Sequence, residues 1–172
     1  MSVVAATDIQ TDSSHIFLPD FVNKSEKIMS DFLNLCDFKW AYEPKTFTFN
    51  DISSGVYAFA PDFFVDGIGY IEVTASLYPG PKNKKMRKME TEYPYVNIFL
   101  ARFRGDDSKE ISVYHGYNGR FGIKKGEPFE IELSYKNQER FRQYLFERTS
   151  EFYTPNSIAP AGLEPTSRVV FA

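Results

Sequence analysis

At 172 residues and 19.8 kDa the chain has room for one compact domain with a sizeable core, and two domains with a linker would be cramped. With 42% hydrophobic and 25% charged residues it belongs among globular chains rather than disordered or collagen-like ones, and its net charge of -3 excludes a uniformly basic, purely electrostatic nucleic-acid binder. Its one cysteine, Cys36, excludes an intramolecular disulfide framework and a multi-thiolate zinc site and suits a reducing compartment, so a cytoplasmic or other intracellular location is expected. No apolar run approaches the ~18 residues of a membrane helix, and the opening MSVVAATDIQTDSSH lacks the positive charge that begins a secretory signal. No membrane partner is therefore expected.

Residues 1–21 open with acids, serines and threonines and read as a flexible arm. From residue 154 to 172, Pro155, Pro160 and Pro165 among Ser, Ala and Gly read as a flexible tail. Between them, Met29, Phe32, Leu33 and Cys36 recur at helical spacing behind a plausible cap at Asn23, predicting a helix over 24–36. The aromatic-rich 40–49 ends in the alternation of a half-buried strand. Residues 56–64 and 69–75 flank Val65-Asp66-Gly67-Ile68 and predict a hairpin. From Lys82 to about Thr91, Met86, Met89 and then Tyr93 fall at helical spacing; Pro94 stops that helix, and 96–101 reads as a buried strand. Strands at 111–114 and 128–134 and a helix over 137–150, with Phe141, Tyr144 and Leu145 inward, complete the chain. The fold class is α/β, with an α-β-β-β-α-β core over 22–101 and an extension of strands and a helix over 102–153 packed on it.

The chemistry-bearing stretch is Ala60-Pro61-Asp62-Phe63-Phe64, then Tyr70-Ile71-Glu72-Val73-Thr74, then the basic run Lys82-Asn83-Lys84-Lys85-Met86-Arg87-Lys88. Period-two geometry puts Glu72 and Thr74 on one strand face. If the hairpin loop centres on Gly67, paired positions sum to 134 and Asp62 sits opposite Glu72; a two-residue Asp66-Gly67 turn would put the two acids on opposite faces. Like charges so placed are destabilising, and a hard divalent ion such as Mg²⁺ or Mn²⁺, which takes oxygen ligands, would reconcile them. Phosphodiester hydrolysis is the reaction class this suits, with a nearby lysine orienting the nucleophile or stabilising developing charge.

The PDF segment at 61–63, the YIEV strand at 70–73 and the element order resemble the PD-(D/E)xK nuclease superfamily, the restriction-endonuclease-like fold, over residues 22–101. The resemblance implies that Asp62 and Glu72 bind metal, that the Val73 carbonyl is a further ligand, that Glu26 is a helix-borne acidic addition, and that the partner is nucleic acid, DNA in particular. Where the family usually carries its lysine, this chain has Thr74. Some members, cap-snatching viral endonucleases among them, move the lysine to the following helix, which here offers Lys82 or Lys85 on the Met86 and Met89 face. Lys84, Arg87 and Lys88 are expected to point outward and meet phosphates. Lys82, Lys84, Lys85, Arg87, Lys88, Arg102 and Arg104 against Glu90 and Glu92 give residues 75–104 a charge of +5.

Blander readings stand beside these. Asp62 after Pro61 also suits a turn opening, Asn23-x-x-Glu26 also fits a capping box, and the basic run also suits a solvated helix face. His115 reads as part of a turn, Cys36 as core packing, and Tyr114, Tyr117, Arg120, Lys124 and Lys125 as either strand contacts or a loop-rich hairpin. The expectation is a metal-dependent endonuclease, with a homodimer one assembly open to it. The alternative is a nuclease-like nucleic-acid or protein-binding module without chemistry.

Overall fold

The computed structural model describes residues 19–53, 55–75, 80–105, 107–116 and 128–152. The tail at 154–172, most of the arm at 1–21, and Tyr117, Arg120, Lys124 and Lys125 lie outside the described residues.

Helix α1, Lys24–Leu35, starts where the side chain of Asn23 accepts from the Glu26 amide at 3.0 Å. It stops at Asp37, whose φ of 58° is left-handed. Its buried face, with Met29, Phe32 and Leu33, is the one the spacing predicts. The core also reaches slightly ahead of residue 22, because Phe21 sets its ring 5.0 Å from that of Tyr42, edge-on.

The strand expected over 40–49 is two strands in different sheets: β1, Trp40–Tyr42, and β2, Phe47–Thr48. The chain turns between them at Glu43, with φ 43°, followed by Pro44. The strand expected from 56 to 64 is likewise divided into β3, Ala58–Phe59, and β4, Phe63–Val65. Pro61, with no N–H for a ladder, stands in the break. β2 pairs with β3 as a small antiparallel ribbon, while β4 joins the main sheet.

β5 spans Gly69–Thr74, α2 Gly80–Glu92, β6 Ile98–Phe103, β7 Glu110–His115, β8 Phe129–Glu132, and α3 Gln138–Phe152. The main sheet runs β1-β4-β5-β6-β7-β8 and is antiparallel except for β5 and β6, which are parallel. A parallel pair needs a crossover, and α2 lies in that connection. The fold is thus α/β with a mixed six-stranded sheet, and β7 and β8 continue the same sheet rather than forming a separate layer.

Residue parity sorts the two faces. Phe63, Val65, Ile71, Val73, Phe99, Ala101, Ile111 and Val113 join Met29, Phe32 and Leu33 of α1 and Phe141 and Leu145 of α3 in one apolar cluster. Tyr70, Ile98 and Leu100 join Met86 and Met89 of α2 and Phe47, Phe49 and Phe59 of the ribbon in the other. Met86 and Met89 are fully buried, each stabilising the layer by ~1.5–3 kcal/mol. No helix among the described residues is long and apolar enough to cross a membrane.

Candidate active site

The hairpin of β4 and β5 pairs Phe63 with Ile71, Phe64 with Tyr70 and Val65 with Gly69, so paired positions sum to 134. Its loop is the odd one, Asp66-Gly67-Ile68, with Gly67 at φ 76° and the Ile68 amide donating to the Val65 carbonyl at 3.0 Å. That register carries Asp62 to Glu72. The Asp62 amide donates to Glu72 Oε2 at 3.2 Å, and the Val73 amide donates to Asp62 Oδ2 at 2.7 Å. Both residues are buried. Glu72 has the strand parity of Tyr70, whose ring belongs to the α2-side cluster, so it faces α2.

Lys82, in the first turn of α2, completes the cluster. Its Nζ donates to Glu72 Oε1 at 2.7 Å and to the Val73 carbonyl, and stands 3.9 Å from Asp62 Oδ2. Two acids share one ammonium, one positive charge short of balance. Burial, and then the Glu72 charge, push the Asp62 carboxyl up to about 8, against the pull of Lys82. Burial also raises Glu72, opposed by its ion pair with Lys82. Burial acts to lower the Lys82 pKa, but Glu72 and Asp62 outweigh it and hold the ammonium above its ordinary value. Glu72 is nearer the ammonium than Asp62 is. Glu72 is therefore the acid paired directly with Lys82, and Asp62 stands farther from the ammonium.

The other lysines part company with Lys82. Lys85 is half-buried, with its ammonium 5.6 Å from the centre of the Phe59 ring and turned to the ribbon instead of the acids. Lys84 and Arg87 are exposed, as expected. Lys88 is not: it is buried, donates to the carbonyls of Asp51 and Val56, the latter at 3.0 Å, and lies over the Phe49 ring. Folding of the ribbon and its loop over α2 turns this position into a structural tie, so Lys88 does not point outward as Lys84 and Arg87 do.

Glu26, expected at the metal, has its carboxylate engaged at the start of α1. Its Oε2 accepts from the Val22 amide at 2.9 Å and the Tyr42 hydroxyl at 2.8 Å, and its Oε1 accepts from Asn23 Nδ2 at 3.0 Å. These bonds make it the closing group of the α1 start. It reaches Asp62 and Lys82 only through its field, raising the pKa of both. Among the described residues no group of three or more His, Cys, Asp or Glu side chains gathers to hold a metal. The oxygens that converge are those of Asp62, Glu72 and the Val73 backbone.

Thr74 is buried at the end of β5. Cys36 is a buried thiol pushed up to about 12 by desolvation, an inert core group. His115, expected in a turn, belongs to the sheet. It ends β7, stacks on Phe99 at 4.6 Å and brings Nε2 within 2.6 Å of Asn97 Oδ1, while Asn97 Nδ2 donates to the Ile68 carbonyl at 2.9 Å. Neither that network nor the Tyr42 bond to Glu26 leaves a periodic trace in the sequence.

Two hard carboxylates and a carbonyl beside a flexible cation suit an ion of the Mg²⁺ or Mn²⁺ type, which takes few protein oxygens and leaves other positions to water and phosphate. The ammonium already drawn to those oxygens shows that they favour positive charge. Compared with known proteins, the chain matches no protein-family model, no curated protein and no solved structure.

Proposed function

We propose that this protein is a metal-dependent endonuclease that hydrolyses phosphodiester bonds, with DNA as the substrate implied by the family resemblance. The observation that carries the reading is the meeting of Asp62, Glu72, the Val73 carbonyl and the Lys82 ammonium at one sheet face. The main-sheet elements α1-β1-β4-β5-α2-β6 supply further support, since their order is the α-β-β-β-α-β of the restriction-endonuclease-like core.

Asp62, Glu72 and the Val73 carbonyl would hold Mg²⁺ or Mn²⁺. Such an ion supplies Lewis acidity to a phosphate oxygen and makes water a better nucleophile. The buried backbone amide of Val73 fixes the Asp62 carboxylate, so its direction is set before substrate arrives. Lys82 brings a mobile positive charge to the same place, where it orients the attacking water and offsets charge developing on the phosphate. It does so from the helix, leaving Thr74 at the position where the family usually has lysine. Lys84 and Arg87, on the outer face of α2, contact flanking phosphates.

A binding module without chemistry is favoured by one observation, that Lys82 already neutralises Glu72. A cleavage assay separates the two. Purified full-length protein is incubated with plasmid, single-stranded and branched DNA and RNA in Mg²⁺ or Mn²⁺, beside the Asp62→Asn variant. Cleavage that falls by at least ~10²-fold in the variant is expected, on the scale of losing a group that stabilises the transition state. Intact substrates with retained binding would leave the module.

A further inference from the structure

The oxygens assigned to the metal already have a cation, and it belongs to the chain. Lys82 Nζ is 2.7 Å from Glu72 Oε1, donates to the Val73 carbonyl and lies 3.9 Å from Asp62 Oδ2. A divalent ion would need the same three groups. Its bonds to oxygen are ~2.0–2.1 Å for Mg²⁺, shorter than an ammonium contact, so the two cations cannot share that position.

Retreat is open to one of them. The Lys82 side chain is 30% exposed, whereas those of Asp62 and Glu72 are 7% and 4% exposed. The acids are fixed by buried backbone and hydrogen bonds, while the lysine is a four-carbon stem with an outlet to solvent. Lys82 also stands in the first turn of α2, the positive end of a helix, which gives an ammonium no local reason to stay. Its placement is owed to the acids. Lys85, engaged with the Phe59 ring, does not take its place.

We infer that Lys82 is a built-in competitor for the metal site: its ammonium holds the ligand oxygens until a divalent cation enters, and is then displaced outward to the phosphate side. The inference rests on the nuclease reading and adds a regulation to it. Metal entry and delivery of the catalytic lysine become one event, so the protein stays in a closed, ion-paired form where divalent cation is scarce. A doubly charged ion can balance both acids in their ionised form, where the single ammonium balances only one, and this favours the exchange.

Mn²⁺ binding by the full chain, followed by electron paramagnetic resonance at fixed pH, tests this in wild type, Lys82→Met and Asp62→Asn. Removing the competitor is expected to tighten Mn²⁺ binding by about tenfold, within the usual span for two groups coupled at one site, while Asp62→Asn weakens it. Equal or weaker binding by a folded Lys82→Met, with wild type still binding Mn²⁺, overturns the inference and leaves the nuclease reading in place. If none of the three proteins takes up Mn²⁺, both fall together. Because loss of the lysine strands buried Glu72, a measurement on wild type stands beside the variants: amine acylation of Lys82 relative to Lys84, read by mass spectrometry. Mg²⁺ is expected to raise that ratio severalfold, and an unchanged ratio at saturating Mg²⁺ overturns the inference.

Discussion

Asp62 lies where its carboxyl group is costly to ionise, and the cost has a readable sign. Its pKa is raised to about 8 by burial and by Glu72, against an unfolded value of ~4. The folded, metal-free protein therefore holds a proton that the unfolded chain has lost. The stabilisation is complete below the unfolded value and is lost as pH climbs through about 8. Each unit of pH traversed between the two costs up to ~1.4 kcal/mol, and each kcal/mol moves Tm by ~2–4 °C in a chain of this size. Melting of the metal-free protein should fall between pH 5 and pH 8 by several degrees more in wild type than in Asp62→Asn, as followed by circular dichroism. A divalent ion should erase the difference by taking the proton's place. Lys82 shows the limit of sequence reading at this scale: Lys82 and Lys85 share a helix face, and only their distances from Glu72 and Phe59 separate them.

At the level of elements, the β4–β5 hairpin decides whether there is a site at all. A single residue more or less in the Asp66-Gly67-Ile68 loop would reverse the face presented by one strand, parting Asp62 from Glu72. The base of this hairpin is held by Gly69, which pairs with Val65 and abuts the segment entering β6. A Cβ on Gly69 would stand 2.3 Å from the Asn97 carbonyl oxygen, a backbone atom with little freedom, and its φ of 139° is one that L side chains rarely adopt. Gly69→Ala should thus destabilise by ~2–3 kcal/mol, a Tm loss of roughly 5–10 °C in thermal melting. A Tm within 1–2 °C of wild type, ~0.5 kcal/mol, would show that β5 and the β6 entry slide apart freely. The hairpin itself was legible, but its register was open between a loop centred on Gly67 and a two-residue Asp66-Gly67 turn, and the strand pairing decided for the first. The breaks at Glu43 and at Pro61 were less legible, since long aromatic runs continue across both and mask the change of sheet.

For the whole molecule, charge is unevenly placed: the chain is at -3 overall, yet α2 carries cations on two different sides. Exposed Lys84 and Arg87 and buried Lys88 should behave oppositely when removed. Replacing Lys84 and Arg87 with alanine should weaken DNA binding across sequences and reduce the slope of log affinity against log salt by up to ~1.8, about 0.9 for each phosphate no longer neutralised. Tm should stay within ~1–2 °C. Lys88→Ala should leave that slope alone and lower Tm, because it frees the carbonyls of Asp51 and Val56 from the cation that ties the ribbon's loop to α2. Fluorescence anisotropy over a salt series, with melting on the same preparations, checks both.

The sequence by itself determined what depends on near neighbours: the cap and apolar stripe of α1, the inward pair Met86 and Met89, and a hairpin turning at Asp66-Gly67, whose register the strand pairing then fixed. Each follows from a period or a turn that operates within about ten residues. The tertiary structure alone decided which lysine meets the acids, that Lys88 is buried, that Glu26 is occupied by Val22, Asn23 and Tyr42, and that His115 stacks in the core. Those outcomes depend on partners far away in the chain, such as Asp51 for Lys88 at a separation of 37 residues. No local pattern encodes such a partner, because the energy that selects it comes from packing one finished element against another.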